Sequence, residues 1–565
     1  MAEQKTSPLE LRWSGGANNL NTSVDLYLRK KGEVPILRNA DLSLPGVVSP
    51  LKGLLPISDA GTDIHSIFAG NTVRFVVDGV GLKYLLAATL TALGTLTAAT
   101  RVHWAHVGNW IFIANGTDRK AIYIPTPVMC NWGIAIPTVA PTVVDSTTGG
   151  NPDGTYSCYY RYRITLPDGT IILTALSPVG SVTVVTNKIS WTVPAYPTFT
   201  GATSVHVDLF RTSTTLSANY LVTTLTAATT YTDDVSDAAL QVLPEYDEDG
   251  YYPPPDNIDI VKYYPAADRV FAIVGPDAYW SEPGMYNVFM YDATAAEYDN
   301  VNSVFLAGED ITAVKRIDEN LYFGSAGTWR RLRGRSPSSW TWEDTMAAAG
   351  PINDESAVET PWGIIHPATD GTMWLFTGNT SRSILDEFVF TTPPGATSHA
   401  TFDGRFYRLF YEDPTYPELV VDFLKYPEIP PRVVQSSRSA TASFFDKSTG
   451  KYYMADAQYL RYGADSADEV TLTIKTPDIP LAGLLKMSGR SILNYKANTQ
   501  GEDITITPYA DGVALTPITI NTATSKRDRT PLPFGDAYTL ALLIEITTAA
   551  AITIEEPWLI AKDEG

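Results

Sequence analysis

Seven times along the chain, a turn built on Asn, Asp or Gly adjoins a short run of aromatic and β-branched residues. This recurrence restricts the fold more than any single motif. The units read "AGNTVRFVVDG" from Ala69, "VGNWIFIANG" from Val107, "ADRVFAIVG" from Ala267, "DENLYFGSAG" from Asp318, "TDGTMWLFTGN" from Thr369, "FDGRFYRLFY" from Phe402 and "STGKYYMADA" from Ser448. Their turn residues are Asn71, Asn109, Asp268, Asn320, Asp370, Asp403 and Gly450, separated by 38, 159, 52, 50, 33 and 47 residues. All but the second interval lie near the roughly 40–50 residues of one propeller blade. A four-stranded blade cannot bury both faces by itself, so blades pack in a ring. The pattern therefore predicts an all-β chain built on a β-propeller of about five to eight blades.

The long interval leaves room for a guest. Segment 137–244 opens with the Pro-rich "IPTVAPTV" and then alternates apolar and polar residues in "YSCYYRYRI" and "SVHVDLF". "LPDGT" is a hairpin turn. Such a run of short strands predicts an inserted immunoglobulin-like or fibronectin-III-like sandwich. After Ser466 the strands lengthen, and 467–565 reads as a C-terminal β-sandwich. The expected division is 1–136 for an N-terminal segment and the first blades, 137–244 for the insert, 245–466 for the remaining blades, and 467–565 for the last module. No run of ten or more residues carries a capped 3.6-residue period.

Charge excludes several function classes. With 41 basic and 62 acidic residues the net charge is −21, which disfavours adhesion to DNA or to an anionic membrane. Cys130 and Cys158 form no CxxC pair, so neither a zinc nor a redox motif is expected. No apolar stretch resembles a signal peptide or a membrane span. In "HWAH", a strand would place His103 and His106 on opposite faces, the wrong geometry for a shared metal. "EYDEDGYYPPPD", Glu245 to Asp256, mimics a calcium loop, but its three prolines suit an acidic linker better. No nucleophile elbow, P-loop or zincin motif appears, so no catalytic residue, cofactor or metal is expected.

One dense basic patch stands out: Trp329, Arg330, Arg331, Arg333 and Arg335. In a strand, Trp329, Arg331 and Arg333 share a face, where an aromatic between arginines could stack on nucleic acid. The same arginines could instead pair with carboxylates of a neighbouring subunit or stay solvated.

Two stretches carry a family resemblance. Trp13 to Gly53 holds Gly15, Gly16, Asn18, Gly32, Glu33, Asn39, Leu42, Pro45, Gly46, Lys52 and Gly53 in the order found near the N-terminus of many bacteriophage virion proteins. Pro253 to Phe289, with "YWSEP" at Tyr279 to Pro283 and the later hairpin "LYFGSAGTWRRLRG", is similar to the propeller of phage tail nozzle or tail hub proteins. That resemblance implies a structural homo-oligomer, most often a hexameric ring, beneath a tail adaptor. Its partners would be the adaptor and tail fibre or needle proteins. Phage DNA would pass through the lumen without sequence-specific binding. The expected location is the virion tail, assembled in the host cytoplasm. The rival reading is a glycan-binding or glycan-hydrolysing propeller. For a sialidase-like enzyme, "TDGTMW" is only a partial echo of the Ser-x-Asp-x-Gly-x-Thr-Trp repeat. A surface adhesion protein, the third reading, would call for an export signal.

Overall fold

In the computed structural model, the described residues are 61–463, apart from 72, 87–88, 186, 247–250, 293–296, 306–307, 386–387, 425 and 429. The strands of the flanking segments 8–56 and 470–563 are described as well. The chain is nearly all β. Among the described residues, helix is confined to Asp237–Leu240 and the 3-10 turn Pro337–Ser339.

Among the described residues, six antiparallel sheets of four strands and a seventh four-strand set, His399–Phe402 to Arg432–Ser436, which continues through Arg38 opposite Gln435 into a larger sheet, make up the centre of the molecule. Their first strands are Ile64–Gly70, His103–Val107, Ile260–Tyr264, Ala313–Ile317, Val358–Thr360, His399–Phe402 and Ala442–Asp446. Each first strand lies beside the next, and the last lies beside the first, so the sheets form a propeller-like ring. We number them blades 1 to 7.

Packing between blades explains the composition. The second strand of a blade buries both faces, one against each neighbour, so its residues run nearly all apolar; Trp110–Ala114, "WIFIA", is buried throughout, whereas an outer strand such as Thr341–Asp344, "TWED", is part-exposed and polar. Phe68, Phe75 and Ile111 fill the space between blades 1 and 2. Phe271 and Phe323 do so between blades 3 and 4, and Leu375 and Leu409 between blades 5 and 6. Ile67 and Tyr453 seal blade 7 against blade 1.

The ring closes through a strand from far away in sequence. Blade 7 takes its outermost strand from Leu54–Pro56, antiparallel to Leu460–Gly463, with Leu55 opposite Tyr462. The two ends of the circle are thereby hydrogen-bonded together.

The turn residues sit where the blades need them. Six of the seven fall in the hairpin between a blade's first and second strands. Asp370 instead lies one hairpin later, between Gly363–Pro367 and Met373–Phe376 of blade 5. Asn71 and Asp268 hold left-handed φ values of 53° and 51°, and Gly108 takes that role beside Asn109. The Asp403 carboxylate accepts from the Arg405 and Phe406 amides at 3.0 and 2.7 Å, which closes its turn.

Between blades 2 and 3 the chain leaves the ring. It forms a three-stranded sheet (Thr142–Thr148, Asn187–Thr192, Thr230–Asp233) and a five-stranded one centred on Gly154–Thr165 and Ser204–Arg211. Tyr156, Cys158 and Tyr160 of one sheet and Ile189 and Trp191 of the other share a core. After the ring, Val470–Lys475, Asp536–Thr548, Glu502–Ala510 and Ile518–Thr522 pair in that order. Leu542, Ile544 and Ile546 are buried at alternate positions of this sheet. The N-terminal strand Ile36–Arg38 pairs along its edge with Val470–Lys475.

Candidate functional site: the axial cavity

The seven first strands converge on an axial cavity of about 750 Å³, and every blade contributes to its lining. The residues that face it are unusually charged. His103 opens the first strand of blade 2. Its Nε2 lies 3.0 Å from Glu355 and its Nδ1 3.6 Å from Asp354. Lys315, from blade 4, reaches Asp354 at 2.9 Å. Lys262, from blade 3, reaches Glu359 at 2.6 Å, and the same carboxylate oxygen accepts the Arg316 amide at 2.8 Å. These pairs tie blades 2, 3, 4 and 5 together across the axis.

Burial alone would push the His103 imidazolium down, but Glu355 and Asp354 outweigh it and raise the group to about 10. Burial would likewise raise Glu355; His103 and Arg101 hold it at about 2. Asp354 stays below the ordinary carboxylate range, because Lys315 and His103 overcome its desolvation. Glu359 is lowered in the same way by Lys262. Asp446, the remaining carboxylate of the lining, is lowered against its burial by hydrogen bonds from Ser448 and Thr449 and by Arg74 at 2.8 Å.

A second group sits where the first strands of blades 2, 6 and 7 begin. Arg101 donates to the Thr441 carbonyl at 2.6 Å, to the Thr397 carbonyl at 3.3 Å and to His399 Nδ1 at 3.3 Å. A guanidinium has no acceptor, so His399 Nδ1 must accept and the ring proton sits on Nε2. Burial, then Arg101, push His399 down to about 3, so the ring is neutral. Its Nε2 is buried and has no hydrogen-bond partner among the described residues.

This constellation limits the chemistry. Acid-catalysed glycoside cleavage needs a carboxyl group kept protonated near neutrality. All four carboxylates of the lining are held ionised. His103 holds its proton too tightly to donate it readily at neutral pH.

The basic patch reads differently in three dimensions than in sequence. Trp329 is fully buried, stacked on Phe376 at 5.2 Å between blades 4 and 5, with its indole N–H donating to His366 Nε2 at 3.3 Å. It therefore offers no stacking face to nucleic acid. The reason is the two-sided burial of a blade: Trp329 packs on blade 5 while Leu332, on the other face, packs on blade 3. The arginines find carboxylates within their own chain. Arg330 pairs with Asp344 at 2.6 Å, Arg331 and Arg333 both pair with Glu343, and Arg335 pairs with Glu319 at 3.2 Å. Three of these contacts join adjacent strands of blade 4, not separate subunits.

His103 and His106 do lie on one strand, and His106 Nε2 turns to the Gly108 carbonyl at 2.9 Å. Of the acidic stretch from Glu245 to Asp256, residues 247–250 lie outside the described residues; Asp256 pairs with Arg119 at 2.9 Å. Among the described residues no helix is long and apolar enough to cross a membrane. Sequence reading missed Arg101, Asp354, Glu355, Glu359 and His399. The available signal was the cluster of three carboxylates just before and within the first strand of blade 5, matched by Arg101 and His103 at the equivalent place in blade 2.

No family model and no curated protein matches the chain. Solved structures do align with it. A chain of the mitotic checkpoint complex aligns at 9% identity and a TM-score of 0.30, over 82% of this chain and 95% of that one. The exo-β-1,3-galactanase of Phanerochaete chrysosporium, solved with galactose, aligns at 11% identity and a TM-score of 0.21, over 71% and 98%. The carbohydrate-binding module TmCBM61, solved with β-1,4-galactotriose, aligns at 10% identity and a TM-score of 0.15, over 20% and 71%. Superpositions this loose carry no argument about what the chain does.

Proposed function

We propose that the protein is a non-catalytic structural component of a bacteriophage tail, a nozzle or hub subunit that assembles with copies of itself into a ring around the DNA channel. The observation that carries the non-catalytic part is the axial cavity. Its carboxylates are ionised and cross-linked to Lys262, His103 and Lys315 of other blades, an arrangement that braces a ring and leaves no acid ready to transfer a proton. The tail setting rests on the resemblance of Trp13–Gly53 and Pro253–Phe289. A net charge of −21 suits a lumen that DNA must leave without sticking. In this reading the two-sheet insert is an immunoglobulin-like or fibronectin-III-like module. It faces outward as a docking surface for fibres or a needle, and the terminal sheets contact the adaptor ring. The DNA channel is the lumen of the oligomer, distinct from the axial cavity of one subunit. Negative-stain imaging of the purified chain, alone and beside virions, tests the proposal. Rings with a pore wide enough for duplex DNA are expected; a monomer that never enters virions would refute it.

A second reading, a glycan-binding propeller, is favoured by the cavity itself, whose volume suits a small sugar and whose lining mixes Trp104 and Phe444 with charged donors. The glycan-related structures named above stand on this side, too loosely superposed to argue for it. Glycan-array binding by the purified chain would support it.

A further inference from the structure

The cavity holds more cationic hydrogen-bond donors than its own carboxylates engage. Glu355 is taken by His103, Asp354 by His103 and Lys315, and Glu359 by Lys262. Glu412, the other carboxylate near Arg101, caps the distant Gly395–Ser398 turn, accepting from the Gly395 amide at 2.8 Å and Ser398 Oγ at 3.0 Å. Arg101 is left with two carbonyls and an imidazole nitrogen, and among the described residues no carboxylate contacts it. Two further donors of the lining are buried with no partner among the described residues: His399 Nε2, on a residue only 6% exposed, and Ser443 Oγ. His399 touches Arg101 directly, and Ser443 follows Thr441, whose carbonyl Arg101 holds, by two residues on the first strand of blade 7, which also lines the cavity.

Orphaned buried donors cost roughly 1–3 kcal/mol each when nothing accepts from them. One beside the guanidinium and one on the strand whose Thr441 carbonyl it holds, in a cavity of ligand size, point to a missing acceptor that carries negative charge. We propose that the Arg101 end of the axial cavity binds a small oxyanion-bearing molecule, a carboxylate or a phosphate, seated on Arg101, His399 and Ser443. The guanidinium supplies the charge, and the orphan donors, closed off in the empty cavity, read the oxygens once their side chains turn towards it. The site is independent of the tail reading, since a structural subunit can carry a bound anion as a brace between blades 2, 6 and 7.

Isothermal titration of the full-length chain tests this, with inorganic phosphate, citrate and galacturonate as the probes and galactose as the neutral control. At least one oxyanion is expected to bind saturably at one site below about 10 mM. His399→Phe should weaken it by roughly tenfold or more. Ser443→Ala, which removes one hydroxyl, should weaken it by a smaller factor, and it keeps the test open should the His399 variant fail to fold. Phosphate binding alone, or binding of the carboxylates alone, would identify the oxyanion class. No binding by any oxyanion, galactose binding as tightly as galacturonate, or oxyanion binding unchanged in the folded variants would overturn the proposal.

Discussion

Two buried charge networks in this protein solve the same problem in different ways. In the insert, Arg211 is fully buried, and its guanidinium is met on every side. Asp233 accepts at 2.6 Å, Asp237 and Asn151 each at 3.1 Å, the Thr212 and Val235 carbonyls take further N–H groups, and Tyr156 covers the face at 4.8 Å. In the axial cavity, among the described residues, Arg101 has acceptors but no contacting carboxylate, and His399 beside it and Ser443 of blade 7 have unpaired atoms. A saturated network is a structural element, since adding a ligand would break bonds already made. An unsaturated one has capacity left over. The contrast separates the cavity's two halves as well: the His103 side is paired, and the Arg101 side is open.

Breaking the saturated network should have the largest effect. Arg211→Met leaves Asp233 and Asp237 buried without their counter-ion and should cost about 3–5 kcal/mol, read as a lowered urea midpoint for the insert. The paired side of the cavity should show a smaller, pH-dependent effect. His103 is raised from 6.5 to about 10, so its contribution is complete below 6.5 and is lost as pH rises towards 10. Glu355, lowered from 4.5 to about 2, contributes above 4.5 and fails as pH falls through about 2. Wild-type protein should therefore lose melting temperature between pH 6.5 and 10, and His103→Phe should flatten that slope. Because 17% of the His103 side chain is open to the cavity, the substitution itself should cost only about 1–2 kcal/mol. A steep alkaline slope that persists in the variant would assign the titration to another group.

At the small end lie the unpartnered and the exposed groups. Ser443→Ala removes a buried, unpaired hydroxyl and should leave the unliganded chain no less stable, with a gain of up to about 1 kcal/mol. Arg335→Ala should be quieter, because Arg335 and Glu319 are both about three-quarters exposed. A loss above about 1 kcal/mol at Ser443 would mean that its hydroxyl already has a structural partner.

The hairpins of the ring were legible in sequence because a tight turn needs particular residues. Asn71 and Asp268 stand at left-handed positions, and the Asp403 side chain caps its own turn. Asp370 fell one hairpin late because blade 5 turns first through "TPWG", Thr360 to Gly363, which lacks an Asn or Asp. The misreading of Trp329 has one physical cause. Alternation separates two faces of a strand but does not say which positions are dry, and Trp329 and Leu332, on opposite faces, are both buried between neighbouring blades. The Arg101 end of the cavity was illegible for a different reason: Arg101 and His399 meet across almost 300 residues, and no local pattern links them. Strand Leu54–Pro56, three residues long, gave no periodic signal at all, although it closes the circle.

That closure is the account's central claim, because a bracing role for the cavity requires one continuous ring. Leu55 and Tyr462 face each other across the antiparallel pair that closes it. Such neighbours lie within the span a disulfide can bridge. The variant Leu55→Cys/Tyr462→Cys, oxidised and mapped by peptide mass spectrometry, should show a 55–462 cross-link and a raised melting temperature. Tyr453→Cys, one strand further in, should not cross-link to Leu55→Cys. Absence of the 55–462 link, or equal linking to position 453, would contradict the closed ring.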